Sequence, residues 1–241
     1  MRFTNKVCLV TGGASGIGRA TCERFAAEGG VAVVVDIDED GGNQTANRIT
    51  ADGGRAIFVK ADVSVSADVQ TVIKRVVNDL GRIDVLVNNA ATQTFKRVVD
   101  LEEDEWDRVI AVNLRSVFLF CKYCLPHMEN GVILNVSSVH AHEAGTNVAP
   151  YASSKGGIEA FTRALSREYK PSNIRVNCVA PGGVNTPMLW TNPAIKGMNR
   201  ADVLYSEPEQ IAAVICFLAS EEASPINGTT VVADMGLLAE L

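Results

Sequence analysis

Short apolar runs alternate along this chain with longer segments in which apolar residues recur every three or four positions, the signatures of strand and amphipathic helix. The runs at 6–11, 31–35, 57–60, 85–91, 131–136, 175–179 and 229–233 predict seven strands. The longer spacing predicts helices over 19–28, 66–79, 104–128, 151–169 and 209–220, with Pro150 a good opener for the fourth. VAVVV at 31–35 is apolar at every position, as a strand buried on both faces must be. The alternation predicts an α/β fold built on a mostly parallel sheet. No linker or repeat interrupts it, so residues 1–241 are expected to form a single domain. Only 187–206 lacks clear periodicity, and it is expected to be a short mobile segment.

Composition narrows the function. The 241 residues carry a net charge of −6 and no basic cluster, which disfavours nucleic acid as a partner, because phosphate neutralisation needs grouped Lys and Arg. A small-molecule substrate is the better expectation. MRFTNKVCLV at the start lacks the apolar run and small-residue cleavage site of a signal peptide. No stretch approaches the roughly 18 uncharged apolar residues of a membrane span, so no membrane partner and a cytoplasmic location are expected. Cys8, Cys22, Cys121, Cys124, Cys178 and Cys216 are scattered among strands and helices, as reduced core cysteines are. Cys121 and Cys124 form a C-x-x-C in mid-helix without a second ligand pair, which reads as packing and not as metal or redox chemistry.

Candidate chemistry gathers where the strands end. The first runs into GGASGIG, with Gly12, Gly16 and Gly18 spaced G-x-x-x-G-x-G before a helix. Glycine permits positive φ and lets backbone N–H groups approach a diphosphate at the positive end of that helix. The turn lacks the Gly-Lys-Ser/Thr ending of a nucleotide-triphosphate loop, which disfavours kinase or ATPase chemistry. Asp36 closes the second strand about 20 residues later, placed to accept both ribose hydroxyls of an adenosine and to repel a 2′-phosphate. Ser15 and Ile37 flank the same pocket and supply no positive charge, so NAD is favoured over NADP; alternatively Asp36 is a helix cap or turn acid. Asp62 is placed to cap the following helix, to meet the adenine amino group, or to do both. Asn88 and Asn89 either tie down the loop after the fourth strand or contact the ligand directly, and small alanines there leave room for a ribose. Asn113 interrupts an apolar helical face, and a buried Asn must find partners, either by distorting the helix or in a water network. Ser138 ends the fifth strand. Tyr151 and Lys155, four residues apart, share one face of a helix, and an ammonium beside a phenol favours the phenolate.

Together TGGASGIG (11–18), NNA (88–90), Asn113, Ser138, YASSK (151–155) and PGGVNT (181–186) resemble the short-chain dehydrogenase/reductase family, over residues 6 to about 236. The resemblance implies a Rossmann-type doubly wound sheet of seven strands, order 3-2-1-4-5-6-7, with helices on both faces. It implies Tyr151 as the proton donor or acceptor for an alcohol oxygen and Ser138 as the hydrogen-bond partner of that oxygen. Lys155 would hold the nicotinamide ribose and depress the Tyr151 pKa, and Asn113 would seat a proton-relaying water. Implied cofactor contacts are Gly12, Ser15, Gly16, Ile17, Gly18, Asp36, Ile37, Asp62, Val63, Asn89, Ala90, Tyr151, Lys155, Pro181, Gly182, Val184 and Thr186. A homotetramer packed through the helices around 104–128 and 151–169 is also implied. The chain departs from the pattern at Ala91, where Gly is common, at ADMG (233–236) in place of V-D-G-G, and in the shortness of 187–206.

In the loop between Ser138 and Tyr151, either one or two of His140, His142 and Glu143 meet the substrate or these are surface residues; Met188, with Leu189 and Trp190, is expected to line an apolar wall. The polarity of that loop suits a hydroxylated substrate such as a sugar or polyol, and no metal is expected there. The leading expectation is thus an NAD-dependent oxidoreductase of a secondary alcohol or ketone. A 3-oxoacyl ketoreductase would want NADPH and a basic docking patch, and a non-catalytic NAD-binding regulator would be expected to lose part of the Asn113, Ser138, Tyr151, Lys155 set.

Overall fold

A computed structural model describes residues 1–239. Seven strands form one sheet: β1 (Val7–Thr11), β2 (Val31–Asp36), β3 (Arg55–Lys60), β4 (Val85–Asn88), β5 (Val132–Val136), β6 (Arg175–Pro181) and β7 (Thr230–Ala233). Every pairing is parallel and the order is β3-β2-β1-β4-β5-β6-β7. Eight α-helices accompany it among the described residues: α1 (Gly16–Ala27), α2 (Glu39–Ala51), α3 (Ser66–Leu80), α4 (Glu103–Ile110), α5 (Ser116–Cys124), α6 (Ala149–Glu168), α7 (Pro187–Trp190) and α8 (Pro208–Ala219).

The two-residue period of the strands divides the core. Leu9, Val33, Leu86, Ile133 and Val176 face one side, against α3, α5 and α6. Cys8, Val10, Val34, Val87 and Leu134 face the other, against α1, α2 and α8. All six cysteines are free and buried in these layers. Both faces being covered explains why the strands read as unbroken apolar runs.

Three differences from the sequence reading have physical causes. Helix α2 has no clear apolar period and contains Gly41 and Gly42; it forms because Asp38 caps it at Gly41 N (3.1 Å) and because the Phe58 ring packs where a Gly42 side chain would stand. The helix expected over 104–128 is divided by a π-helical turn, Ala111–Arg115, centred on Asn113. The continuous helical stretch Glu103–His127 is long and apolar enough to cross a membrane by length and composition, yet over half of its most apolar window is buried, and it packs on α3, β4 and α6. A single glycine, Gly81 at φ 74°, ends α3 in the left-handed conformation.

Candidate active site

A cavity of about 550 Å³ lies over the carboxyl ends of the strands, the usual ligand position in a doubly wound sheet. One end is the turn between β1 and α1. Gly12 (φ 68°) and Gly16 (φ 51°) adopt the left-handed backbone that glycine alone takes without strain. Asn89 holds the turn closed, its Nδ2 donating to the carbonyls of Thr11 (2.9 Å) and Gly12 (3.2 Å), while Thr11 Oγ1 accepts from the N–H groups of Asn89 and Ala90. Ser15 occupies the N-cap of α1 without capping it through its side chain, leaving first-turn N–H groups for an external acceptor. Gly18 does not line the cavity. A Cβ there would stand 2.1 Å from the Gly12 carbonyl oxygen, so this glycine serves close packing of the turn on the helix.

Asp36 lies on the cavity wall, its carboxylate fixed by Ala14 N (2.9 Å) and Asp38 N (3.0 Å). It is therefore a turn acid, while Asp38 caps α2; one bond on each oxygen leaves lone pairs free for a ligand. Asp62 also lines the cavity and does not cap α3, whose N-cap is Val65; it accepts from Ser64 N (2.9 Å) and Ser64 Oγ (2.6 Å), with Arg108 at 4.0 Å. Burial works to raise its pKa, but the Ser64 bonds and Arg108 hold it below the ordinary carboxylate range.

The cavity floor carries Ser138, Tyr151 and Lys155. Pro150 sits in the first turn of α6, so Tyr151 lies at the positive end of the helix and Lys155 one turn on. Both are buried, at 9% and 2% exposure, and Lys155 Nζ is 5.3 Å from the Tyr151 ring centroid. Nζ donates to the Val136 carbonyl (2.7 Å), and an ammonium has two further protons to give. Burial lowers the Lys155 pKa to about 8. Burial also dominates at Tyr151, pushing the phenol up to about 12 against the opposing pull of the Ser138 hydroxyl. The expected depression of Tyr151 by Lys155 is thus not present in this structure. The ammonium is aimed at the Val136 carbonyl, and desolvation of the phenolate is the largest influence on Tyr151. Ser138 Oγ accepts from His140 N (3.2 Å), which fixes the hydroxyl at the strand end.

Asn113 is fully buried and off the cavity wall. Its amide donates to Thr92 O (2.9 Å) and Ser154 Oγ (3.0 Å) and accepts from Thr92 N (2.8 Å), clamping the loop after β4 to α6. Ser154 Oγ in turn donates to Tyr151 O (2.7 Å). Asn113 thus acts on the helix and on the Tyr151 backbone, and its side chain is already committed to these partners.

Of the four expected substrate residues, His140 and Met188 line the cavity; His142 and Glu143 do not. His142 turns to Glu159 of α6 (3.1 Å) and Glu143 is exposed, because the one-turn helix Val139–Ala141 rotates successive side chains away from the cavity. The remaining implied cofactor residues, Ile17, Ile37, Val63, Ala90, Pro181, Gly182, Val184 and Thr186, all line it. Sequence reasoning missed Thr92, Gln93, Arg108, Asn192 and Leu237, whereas Leu189 lines the cavity as expected. The polar run ATQT after NNA was a usable signal for two of them; the others reach the cavity through tertiary folding. Among the described residues no cluster of His, Cys, Asp or Glu forms a metal site.

Comparison with known proteins agrees with this arrangement. A family profile described as enoyl-(acyl carrier protein) reductase matches residues 12–238. The chain is 38% identical to 3-oxoacyl-(acyl-carrier-protein) reductase FabG of Thermotoga maritima, over 99% of the chain and 100% of that protein. It is 36% identical to meso-2,3-butanediol dehydrogenase of Serratia marcescens, over 99% and 97%. The solved structure of a short-chain dehydrogenase from Burkholderia cenocepacia in complex with NADP superposes with a TM-score of 0.91 at 31% identity, covering 97% of this chain and 98% of that one. The chain belongs to the short-chain dehydrogenase/reductase family and is an oxidoreductase of alcohols and ketones that uses a nicotinamide cofactor.

Proposed function

We propose that this protein transfers hydride between a secondary alcohol or ketone and NAD, acting on a hydroxylated substrate such as a polyol or sugar. The observation that carries the reading is the buried Tyr151 phenol set between the Ser138 hydroxyl and the Lys155 ammonium, on the floor of a cavity whose other end is an uncapped glycine turn.

The residues present fit a dinucleotide. First-turn N–H groups of α1 suit a diphosphate, and the two uncommitted protons of Lys155 suit ribose hydroxyls. Asp36 supports NAD over NADP: its carboxylate would repel a 2′-phosphate. Among the described residues, the Lys and Arg side chains on the wall are Arg108, turned towards Asp62, and Lys155. The bound nicotinamide supplies the hydride acceptor or donor. The chain's own work is to orient and to move a proton. Ser138 Oγ holds the substrate oxygen, Tyr151 Oη takes or gives its proton, and Val184 and Thr186 bound the carboxamide end.

An absorbance screen of reduced-cofactor formation tests the reading, with NAD and NADP each offered with polyols, sugars, hydroxy acids and simple secondary alcohols. Turnover of at least one neutral secondary alcohol, faster with NAD, is expected; no alcohol turnover here, with NADPH consumed in a parallel assay on 3-oxoacyl thioesters, would favour the reading that the similarity to FabG suggests. Exposed Trp106 and Phe118 on the face of α4 and α5 support a homotetramer, for which light scattering should return four times the chain mass.

A further inference from the structure

Two polar side chains stand on the substrate wall with their hydrogen-bonding sense fixed by neighbours. His140 is half-buried and set edge-on to Tyr151, with ring centroids 6.0 Å apart and planes at 83°. The N–H of Gly145 donates to His140 Nδ1 (3.3 Å), so Nδ1 is the bare nitrogen and the proton resides on Nε2. Burial lowers the His140 pKa, which favours this neutral tautomer. Gln93, from the loop after β4, gives its Nε2 to the carbonyl of Met188 (3.0 Å). A carbonyl only accepts, so the amide orientation is forced and Oε1 is left as an acceptor. Elsewhere in the cavity lining, Asn192 spends its side-chain carbonyl on Ala194 N (2.9 Å), and Thr92 spends its backbone on Asn113. Val139, Met188 and Leu189 add apolar surface to the same lining, which also carries the Thr92 hydroxyl and the Asn192 amide N–H groups.

We propose that His140 and Gln93 select a neutral substrate with a second hydroxyl on the carbon next to the reacting one, His140 donating to that hydroxyl and Gln93 accepting from it. This rests on the alcohol-oxidoreductase reading above. A hydroxyl is the group that both accepts and donates, so it satisfies one N–H and one C=O together. A carboxylate in the same place would face the lone pairs of Gln93 Oε1, and a bare hydrocarbon would leave the His140 N–H unpaired. The edge-on stacking sets the imidazole beside the Tyr151 phenol, so a carbinol held at Tyr151 has its neighbouring carbon next to His140. His140 is a specificity residue in this account and takes no part in the proton transfer.

The matched probes are cis-cyclohexane-1,2-diol and cyclohexanol, which differ by that one hydroxyl. The wild-type enzyme should favour the diol in kcat/KM by about tenfold or more. His140→Phe keeps the ring and removes the donor; it should cut kcat/KM for the diol by about ten- to a hundredfold, mostly through KM, and leave cyclohexanol within about threefold. His140→Gln restores an N–H and should recover part of the loss. Equal kcat/KM for the two probes in the wild type, or a diol preference that survives in His140→Phe, overturns the proposal alone. If His140→Phe does not fold, the wild-type ratio still decides. A wild type that oxidises neither alcohol with either nicotinamide overturns the oxidoreductase reading and this proposal with it.

Discussion

The two ends of the cavity are built differently. The dinucleotide end is held by backbone and core: the glycine turn is tied to Asn89 and Thr11, Gly13 N donates to Val35 O (3.1 Å), and Asp36 is pinned by two N–H groups. The substrate end is made of loop side chains. Gln93 reaches across to Met188, Trp190 Nε1 donates to Asn185 Oδ1 (2.9 Å) and stacks edge-on with Tyr205, and most residues from 191 to 203 are exposed. Groups common to all substrates sit on strands and helix ends that cannot drift, whereas groups that choose the substrate sit where sequence can change without disturbing the sheet. Tyr151 belongs to both ends, because its backbone is in α6 and its phenol meets the substrate wall.

The sharpest way to separate the ends is Tyr151→Phe. It leaves the ring packing and the glycine turn intact, so turnover should fall by about a thousandfold or more while nicotinamide affinity, read by fluorescence titration, changes by less than about threefold. Comparable losses in both would mean the two ends are not independent. The next effect is pH. Alcohol oxidation needs the unprotonated phenol and ketone reduction the protonated one; with Tyr151 raised to about 12, oxidation should climb with pH, by up to about tenfold per unit between pH 6 and 8, before Lys155, lowered to about 8, gives up its charge, while reduction loses nothing to Tyr151 over that range. A pH-independent oxidation would contradict the buried, protonated phenol. Asp36→Ala acts on the dinucleotide end alone and should narrow the NAD-to-NADP affinity ratio by about tenfold or more, with no change in the ranking of alcohols.

The smallest effect concerns Met235. It holds φ 58° in the loop after β7, a backbone that favours Gly, and Leu237 two residues on lines the cavity. Met235→Gly should relieve strain worth about 0.5–1 kcal/mol, raising Tm by about 1–4 °C without altering kcat. A lowered Tm would show that the side chain does more than tolerate this backbone.

The dinucleotide end was legible in the sequence because its chemistry is local. Glycines at fixed spacing, an acid closing a strand, and Tyr151 and Lys155 one helical turn apart carry their geometry in their numbering, and the apolar runs supplied the strands that bring them together. Helix α2 was not legible, since its stability comes from the Asp38 cap and from Phe58 filling the space over Gly42. The π-helical turn was visible only as one polar residue, Asn113, on an apolar face. His140 and His142 differ by two positions and point to different partners, a distinction set by one short 3-10 turn that no periodicity announces. The Tyr151 pKa likewise depends on how deeply α6 is buried, which neighbouring charges in sequence do not report.

The most direct test of the central claim is the fate of the carbinol hydrogen. A secondary alcohol deuterated at that carbon, oxidised by the wild-type enzyme with NAD, should deliver its deuterium to the reduced nicotinamide, read by mass spectrometry, with the transfer lost in Tyr151→Phe. Deuterium released to solvent, or an enzyme that binds NAD and transfers none from any alcohol, would contradict the account.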